Sequence, residues 1–213
     1  MIISPGRKYI FVHAPKTGGT SMSVALERRA MADDILIGDT PKSKRRAGRV
    51  AKLQAAAAGR LWKHSTIADI EGIVDFSGMF VFTLVRNPWD RLVSYYHWLK
   101  DQSWDHPAVH AAQEQSFADF LGNAVVMDPF RSMPFQAYVT TSAGAEFCDA
   151  FIRLEALEED SAALEAHLGF SLGDVPRLNN SARGPYRDYY DRRTRELVAE
   201  NCAADIARFG YVF

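Results

Sequence analysis

The sequence predicts an α/β fold, a mainly parallel sheet flanked by helices and built as a single domain over residues 1–213, and three observations carry that prediction. An apolar strand, Ile10 to Val12, runs into a lysine- and glycine-bearing turn that opens a helix. A second apolar strand, Met79 to Val85, does the same at Arg86-Asn87-Pro88, and a third strand-to-helix passage follows between Phe151 and Leu168. Alternating strands and helices mark parallel strands joined by helical crossovers. With 213 residues, 47% of them hydrophobic, the chain can bury one substantial core.

The elements follow in order. Ile10 to Val12 form the first strand and Ser21 to about Ala32 the helix it feeds. Ile35 to Ile37 make a short second strand. The segment 41–60 carries Lys42, Lys44, Arg45, Arg46, Arg49 and Lys52, then four alanines at 55–58; it reads as a solvated helix face or an insertion, with a cationic rim for an acidic acceptor as the sharper alternative. Met79 to Val85 is a nearly continuous apolar run, the pattern of a central strand buried on both faces. Asn87 can cap the next helix and Pro88 suits its first position. Near the end, Tyr189-Tyr190-Asp191 leads into a helix that Gly210 terminates. Insertions are read near 40–60 and 100–135.

The first turn reads as an anion-binding loop. Gly18 and Gly19 let the backbone turn sharply and approach a ligand, so several amides can converge on one oxyanion. The following helix adds its free amides and positive dipole end, Lys16 a full charge, and Thr17, Thr20 and Ser21 hydroxyls. At the second turn, Arg86 precedes a helix on which Asn87 and Ser94 lie about two turns apart on one face, at roughly 3.6 residues per turn. A guanidinium fork plus a hydroxyl suits a phosphate dianion. In isolation this segment also reads as a structural network around Asp90 and Arg91. Two anion sites imply a ligand with two separated anionic groups.

The order Pro15-Lys16-Thr17-Gly18-Gly19-Thr20-Ser21 is not a Walker A loop, in which the lysine directly precedes the final Ser/Thr. It resembles the 5′-phosphosulfate loop of sulfotransferases that use 3′-phosphoadenylyl sulfate (PAPS), closest to the branch that includes carbohydrate sulfotransferases. Arg86 and Ser94, eight residues on, resemble that family's 3′-phosphate site. The resemblance implies a P-loop-like sheet and in-line transfer of a sulfuryl group from PAPS to an acceptor hydroxyl, with a carbohydrate as the candidate acceptor. It implies adenosine 3′,5′-bisphosphate as product and no metal requirement. Lys16 is then the leaving-group stabiliser. Related carbohydrate sulfotransferases place a base histidine between the two motifs, and His64 occupies that interval. Leu178 to Arg183 resembles a polar loop closing over the nucleotide, which adds Arg183 to the phosphate shell.

Other histidines weigh less. His13 stands three residues before Lys16 and is suited to orienting the loop from below, while His106 and His110 share metal-like spacing without a third ligand. Net charge of −1 gives no global pull toward nucleic acid or anionic membrane, no run reaches membrane-span length, and no signal-peptide pattern opens the chain. Cys148 and Cys202 read as free thiols, and the expected compartment is the cytoplasm. Two further readings compete: a P-loop-type small-molecule kinase, which would want Walker order and Mg²⁺ carboxylates, and a noncatalytic nucleotide-binding sensor. The aromatic cluster Trp89, Tyr95, Tyr96, Trp98 and Trp104 favours a ring-bearing acceptor unless packing accounts for it. Oligomeric state is not encoded in any pattern.

Overall fold

The computed structural model describes residues 1–176, 178 and 183–213. They form two compact units, one of Met1–Val85 with Gln136–Leu178 and one of Arg86–Phe135 with Asn179–Phe213.

The first unit holds a five-stranded sheet of order β3-β1-β2-β4-β5, with β1 Ile2–Ser4, β2 Tyr9–Val12, β3 Ile35–Leu36, β4 Phe80–Val85 and β5 Ala150–Arg153. Strands β2, β4 and β5 are parallel neighbours, whereas β1 pairs antiparallel with both β2 and β3. The sheet is therefore mixed: the strand-turn-helix units occupy its parallel half, and an antiparallel edge extends it. That edge begins with β1, three residues too short to stand out from the pattern of the sequence. Val12 pairs with Thr83, so β2 and β4 end on the same side of the sheet. All of β2 is buried, and so is β4 from Val81 to Val85. Phe11, Met22, Leu26, Phe82, Ile152 and Leu164 form the core beneath.

Helix α1 spans Gly19–Glu27, two residues earlier at its start than the sequence pattern predicts and five earlier at its end. The basic segment folds as α2, Pro41–Arg45, and α3, Ala47–Leu53. Thr40 caps α2 by accepting from the Ser43 amide at 3.1 Å, with Pro41 in the first turn. Three of the six basic side chains are turned onto backbone, while Lys44, Arg45 and Lys52 are exposed. Arg46 donates to the carbonyls of Met31 and Asp34, Arg49 to those of Ala32 and Asp34, and Lys42 to that of Glu27. They satisfy the carbonyls where α1 ends and the chain turns toward β3.

The second unit is helical: α4 Pro88–Lys100, α5 Pro107–Glu114, α6 Phe117–Leu121 and α7 Ala124–Ser132. Short α8, Phe135–Tyr138, leads back into the first unit, where α9 Leu157–Asp160 and α10 Ala162–Leu168 follow β5. The pattern predicts one helix there and the structure has two, parted at Ser161. Arg153 anchors β5 by gripping Asp160 through Nε at 2.7 Å and a terminal nitrogen at 2.8 Å. In the second unit, α11 Arg192–Asn201 opens on a capping box of Asp191 and Thr194. The helix expected to run on to Phe209 breaks at Cys202, and α12, Ala203–Phe209, ends at Gly210 with φ 65°. Trp89, Tyr96, Phe117, Phe120, Val126 and Val198 fill this unit's core, so packing accounts for most of the aromatic cluster. Trp104 is the exception, 45% exposed and set against Trp98.

Candidate active site

Residues 13–21 build the first half of the site. The chain leaves β2 fully buried through His13 and Ala14, then turns back on itself with Lys16 at φ 64° and Gly18 at φ 83°. A lysine with positive φ is uncommon, and such backbone strain is characteristic of ligand-binding turns. Thr17 is wholly buried and donates its hydroxyl to the Ala14 carbonyl at 2.8 Å, which clamps the turn. Its hydrogen is used inside the loop, so toward a ligand it presents its amide. Ser21 is likewise engaged, its Oγ accepting from the Leu178 amide at 3.1 Å. The N-cap of α1 is Gly18, which has no side chain to consume the first-turn amides, and the first turn carries no acidic residue. Those amides and the helix dipole suit an oxyanion.

Both glycines are required by packing. A Cβ on Gly19 would lie 2.0 Å from Cδ2 of His13, and one on Gly18 would lie 2.9 Å from Cδ1 of Leu154. His13 thus sits directly under the loop, stacked on Phe11 with centroids 5.9 Å apart. Burial above all, with nearby cations including Lys16, holds its pKa well below 6.5 and keeps it neutral. This matches the sequence reading of His13 as a support for the loop.

His64 belongs to the same unit and touches the same structure. Its Nδ1 lies 2.7 Å from the His13 carbonyl, and the two rings meet edge to face with centroids 4.7 Å apart. A carbonyl only accepts, so Nδ1 carries the proton and Nε2 keeps its lone pair. Burial lowers the His64 pKa to about 4, against an upward pull from the hydrogen bond to the His13 carbonyl. The ring is therefore neutral at physiological pH, with a defined tautomer. Trp62 packs edge-on against it at 5.0 Å, and Arg60 lies over the Trp62 ring. Lys63 pairs with Asp39 at 2.7 Å.

The second unit carries Arg86, Asp90, Ser94 and Arg183. Asn87 caps α4 by accepting from the Trp89 amide at 3.1 Å, with Pro88 in the first turn. One turn along, Asp90 accepts from Arg86 Nε at 2.8 Å and from a terminal nitrogen of Arg86 at 2.7 Å. Its other oxygen takes Arg183 at 2.5 Å. The two arginine side chains are each 12% exposed. One carboxylate facing two guanidiniums leaves these three groups with a net charge of +1, which favours a further anion. Ser94 follows Asp90 by four residues on α4 and is half-buried. Arg91 has a different place, buried with its guanidinium 4.4 Å from the Phe135 ring centre and 4.8 Å from that of Phe130. The sequence reading sets Asp90 in a network with Arg91; the structure instead pairs it with Arg86, at i,i+4 spacing, and with Arg183. In the loop resembling a nucleotide cover, Asn179 to Ala182 lie outside the described residues.

The remaining histidines have partners of their own, His167 meeting the Arg7 carbonyl at 2.9 Å. His106 caps α5 by accepting from the Ala108 amide, His110 lies between Asp105 and Glu114, and His97 meets the Tyr189 hydroxyl at 3.0 Å. Among the described residues no three His, Cys, Asp or Glu side chains are grouped to hold a metal ion, and no helix is long and apolar enough to cross a membrane.

The chain is similar to mouse sulfotransferase SULT7A1, whose crystal structure is in complex with PAP, with a TM-score of 0.53 and 14% sequence identity over 96% of this chain and 86% of that one. At that identity the likeness speaks for the fold. No curated protein sequence matches the chain. A family model described as the sulfotransferase family matches residues 1–212, across both compact units, and the chain therefore belongs to the sulfotransferase family.

Proposed function

We propose that the chain transfers a sulfuryl group from PAPS to an acceptor hydroxyl, and that its two units act together as one sulfotransferase domain. The observation that carries this reading is the strained turn from Lys16 to Gly18 at the uncapped start of α1, beside a neutral histidine of fixed tautomer. When bound, PAPS supplies the activated sulfuryl group and a phosphate able to leave.

The roles follow from the chemistry of each residue. The amides from Gly18 to Ser21 hold the 5′-phosphosulfate, and Lys16 stabilises charge that develops on the departing phosphate. Arg86 and Ser94 hold the 3′-phosphate, with Arg183 brought alongside by Asp90. His64 Nε2 takes the proton of the acceptor hydroxyl as its oxygen bonds to sulfur and the bond from sulfur to the phosphate oxygen breaks. The thiols of Cys148 and Cys202 are both unbridged, which supports a reducing, cytoplasmic setting. The resemblance to the carbohydrate branch rests on donor-site residues and leaves the acceptor to be decided.

Calorimetry with adenosine 3′,5′-bisphosphate in chelator, followed by PAPS turnover against a panel of alcohols, phenols and sugars, tests the proposal. Binding without metal and transfer lost in Lys16→Ala and His64→Asn are expected. Stabilisation by ATP with Mg²⁺ but not by the bisphosphate would favour the kinase reading, and bisphosphate binding with no transfer to any acceptor would favour a sensor.

A further inference from the structure

Helix α3 has no buried residue, yet it carries an apolar stripe at Ala47, Val50 and Ala51, the i, i+3, i+4 spacing of a face meant to be covered. The stripe forms one wall of a cavity of about 530 Å³ within the first unit. Leu36 and Ile37 from the end of β3 form the floor, and Leu61 and Trp62 the opposite wall. Arg46 and Arg49 hold α3 in place through carbonyls at residues 31–34, so the stripe faces the cavity because its other side is tied down.

Two observations say what the cavity takes. The first is position: Trp62, 43% exposed, lines the cavity with its neighbour Lys63 and at the same time packs edge-on against the His64 ring. The second is the state of the polar groups in the lining. Ser43 donates to the Thr40 carbonyl, Gln54 bonds through both ends of its amide to Gly59 and Leu61, and Asp39 holds Lys63. These bonds take up part of each group's hydrogen-bonding capacity and the rest of the lining is apolar or glycine, whereas a sugar needs many hydrogen bonds from its site. The volume falls in the small-molecule range of roughly 300–1,000 Å³.

We infer that this cavity is the acceptor site and that the acceptor is an uncharged alcohol or phenol with an apolar, ring-bearing or chain-like body. The inference rests on the sulfotransferase reading above. Trp62 forms its aromatic wall and links it to His64, while the α3 stripe covers the apolar body. Within the basic segment, Arg46 and Arg49 contribute by anchoring α3.

The test uses the full-length protein saturated with adenosine 3′,5′-bisphosphate, with 2-naphthol and N-acetylglucosamine as probes in calorimetry. Ala51→Trp fills the cavity and Val50→Asp places a charge in it. The expected result is 2-naphthol binding that weakens at least tenfold in both variants, with bisphosphate affinity within twofold of wild type. Retained bisphosphate affinity also shows that the variants are folded. Unchanged 2-naphthol binding in the variants, no 2-naphthol binding to wild type, or preference for the sugar would overturn the inference while the sulfotransferase reading stands. Failure of the bisphosphate to bind wild type would instead remove that reading. A shift of the variants alone from dimer to monomer in sedimentation would assign the stripe to a second copy and would also overturn it.

Discussion

The two anion-binding candidates solve one electrostatic problem by different means. In the loop from His13 to Ser21 the donors are backbone amides, and their placement depends on two residues with positive φ and on the absence of a Cβ where His13 and Leu154 approach. At Arg86, Asp90 and Arg183 the donors are side chains, and a carboxylate aligns them. The first arrangement is set by the path of the chain and cannot adapt to an added atom. The second is modular, because each guanidinium can be removed while the α4 backbone remains. The contrast predicts that mutations in the loop act on fold and binding together, whereas mutations among the arginines act on binding alone.

The largest effect belongs to Gly19→Ala. His13 is buried between Phe11 and His64 and has nowhere to retreat from a Cβ at 2.0 Å. A destabilisation of about 1–3 kcal/mol by denaturant unfolding, with loss of measurable bisphosphate binding, is expected. A stable variant that binds normally would break the comparison. Lys16→Ala should lower kcat by roughly 10²-fold to 10³-fold, the scale for one preorganised donor, with a smaller change in bisphosphate affinity. Arg86→Ala should weaken bisphosphate binding by about 1.5–3 kcal/mol, the worth of a charged hydrogen bond, and leave the midpoint of thermal unfolding nearly unchanged. If Arg86→Ala instead unfolded the protein as readily as Gly19→Ala, the arginine cluster would be structural.

The smallest effect is a titration. Burial puts the folded pKa of His64, about 4, below the unfolded value of about 6.5, so between these the unfolded chain binds more protons. The stability this neutral ring contributes is full above about 6.5 and is lost as pH falls toward 4. His64→Phe should flatten that part of the stability profile. Ring resonances followed by NMR should titrate well below 6.5 in the free protein. They should move upward when the bisphosphate binds, because an anion near the loop favours the charged imidazolium by the same Coulomb rule through which Lys63 disfavours it. A free-protein midpoint near 6.5 would deny the burial on which the neutral base depends.

Much of the site is local and could be read from the sequence. Lys16, Gly18 and Gly19 sit on one turn between one strand and one helix, and Asn87 with Pro88 starts α4 by short-range capping. Glycine conformation, caps and burial of a continuous apolar strand are decided by near neighbours in the chain. Helix lengths were less legible: the breaks at Ser161 and Cys202 fall inside continuous helical patterns, and β1 is too short to carry a pattern at all.

The sequence alone determined the anion-binding loop, the arginine at the end of β4 and the order in which they occur, because each rests on contacts a few residues apart. Only the tertiary structure decided what the intervening segments do. It turned the cations at 42, 46 and 49 onto backbone carbonyls, brought His64 under the His13 carbonyl 51 residues away, and joined Arg183 to Asp90 across 93 residues. Each of those outcomes depends on which buried polar group finds which partner, and no periodicity along the chain records that choice.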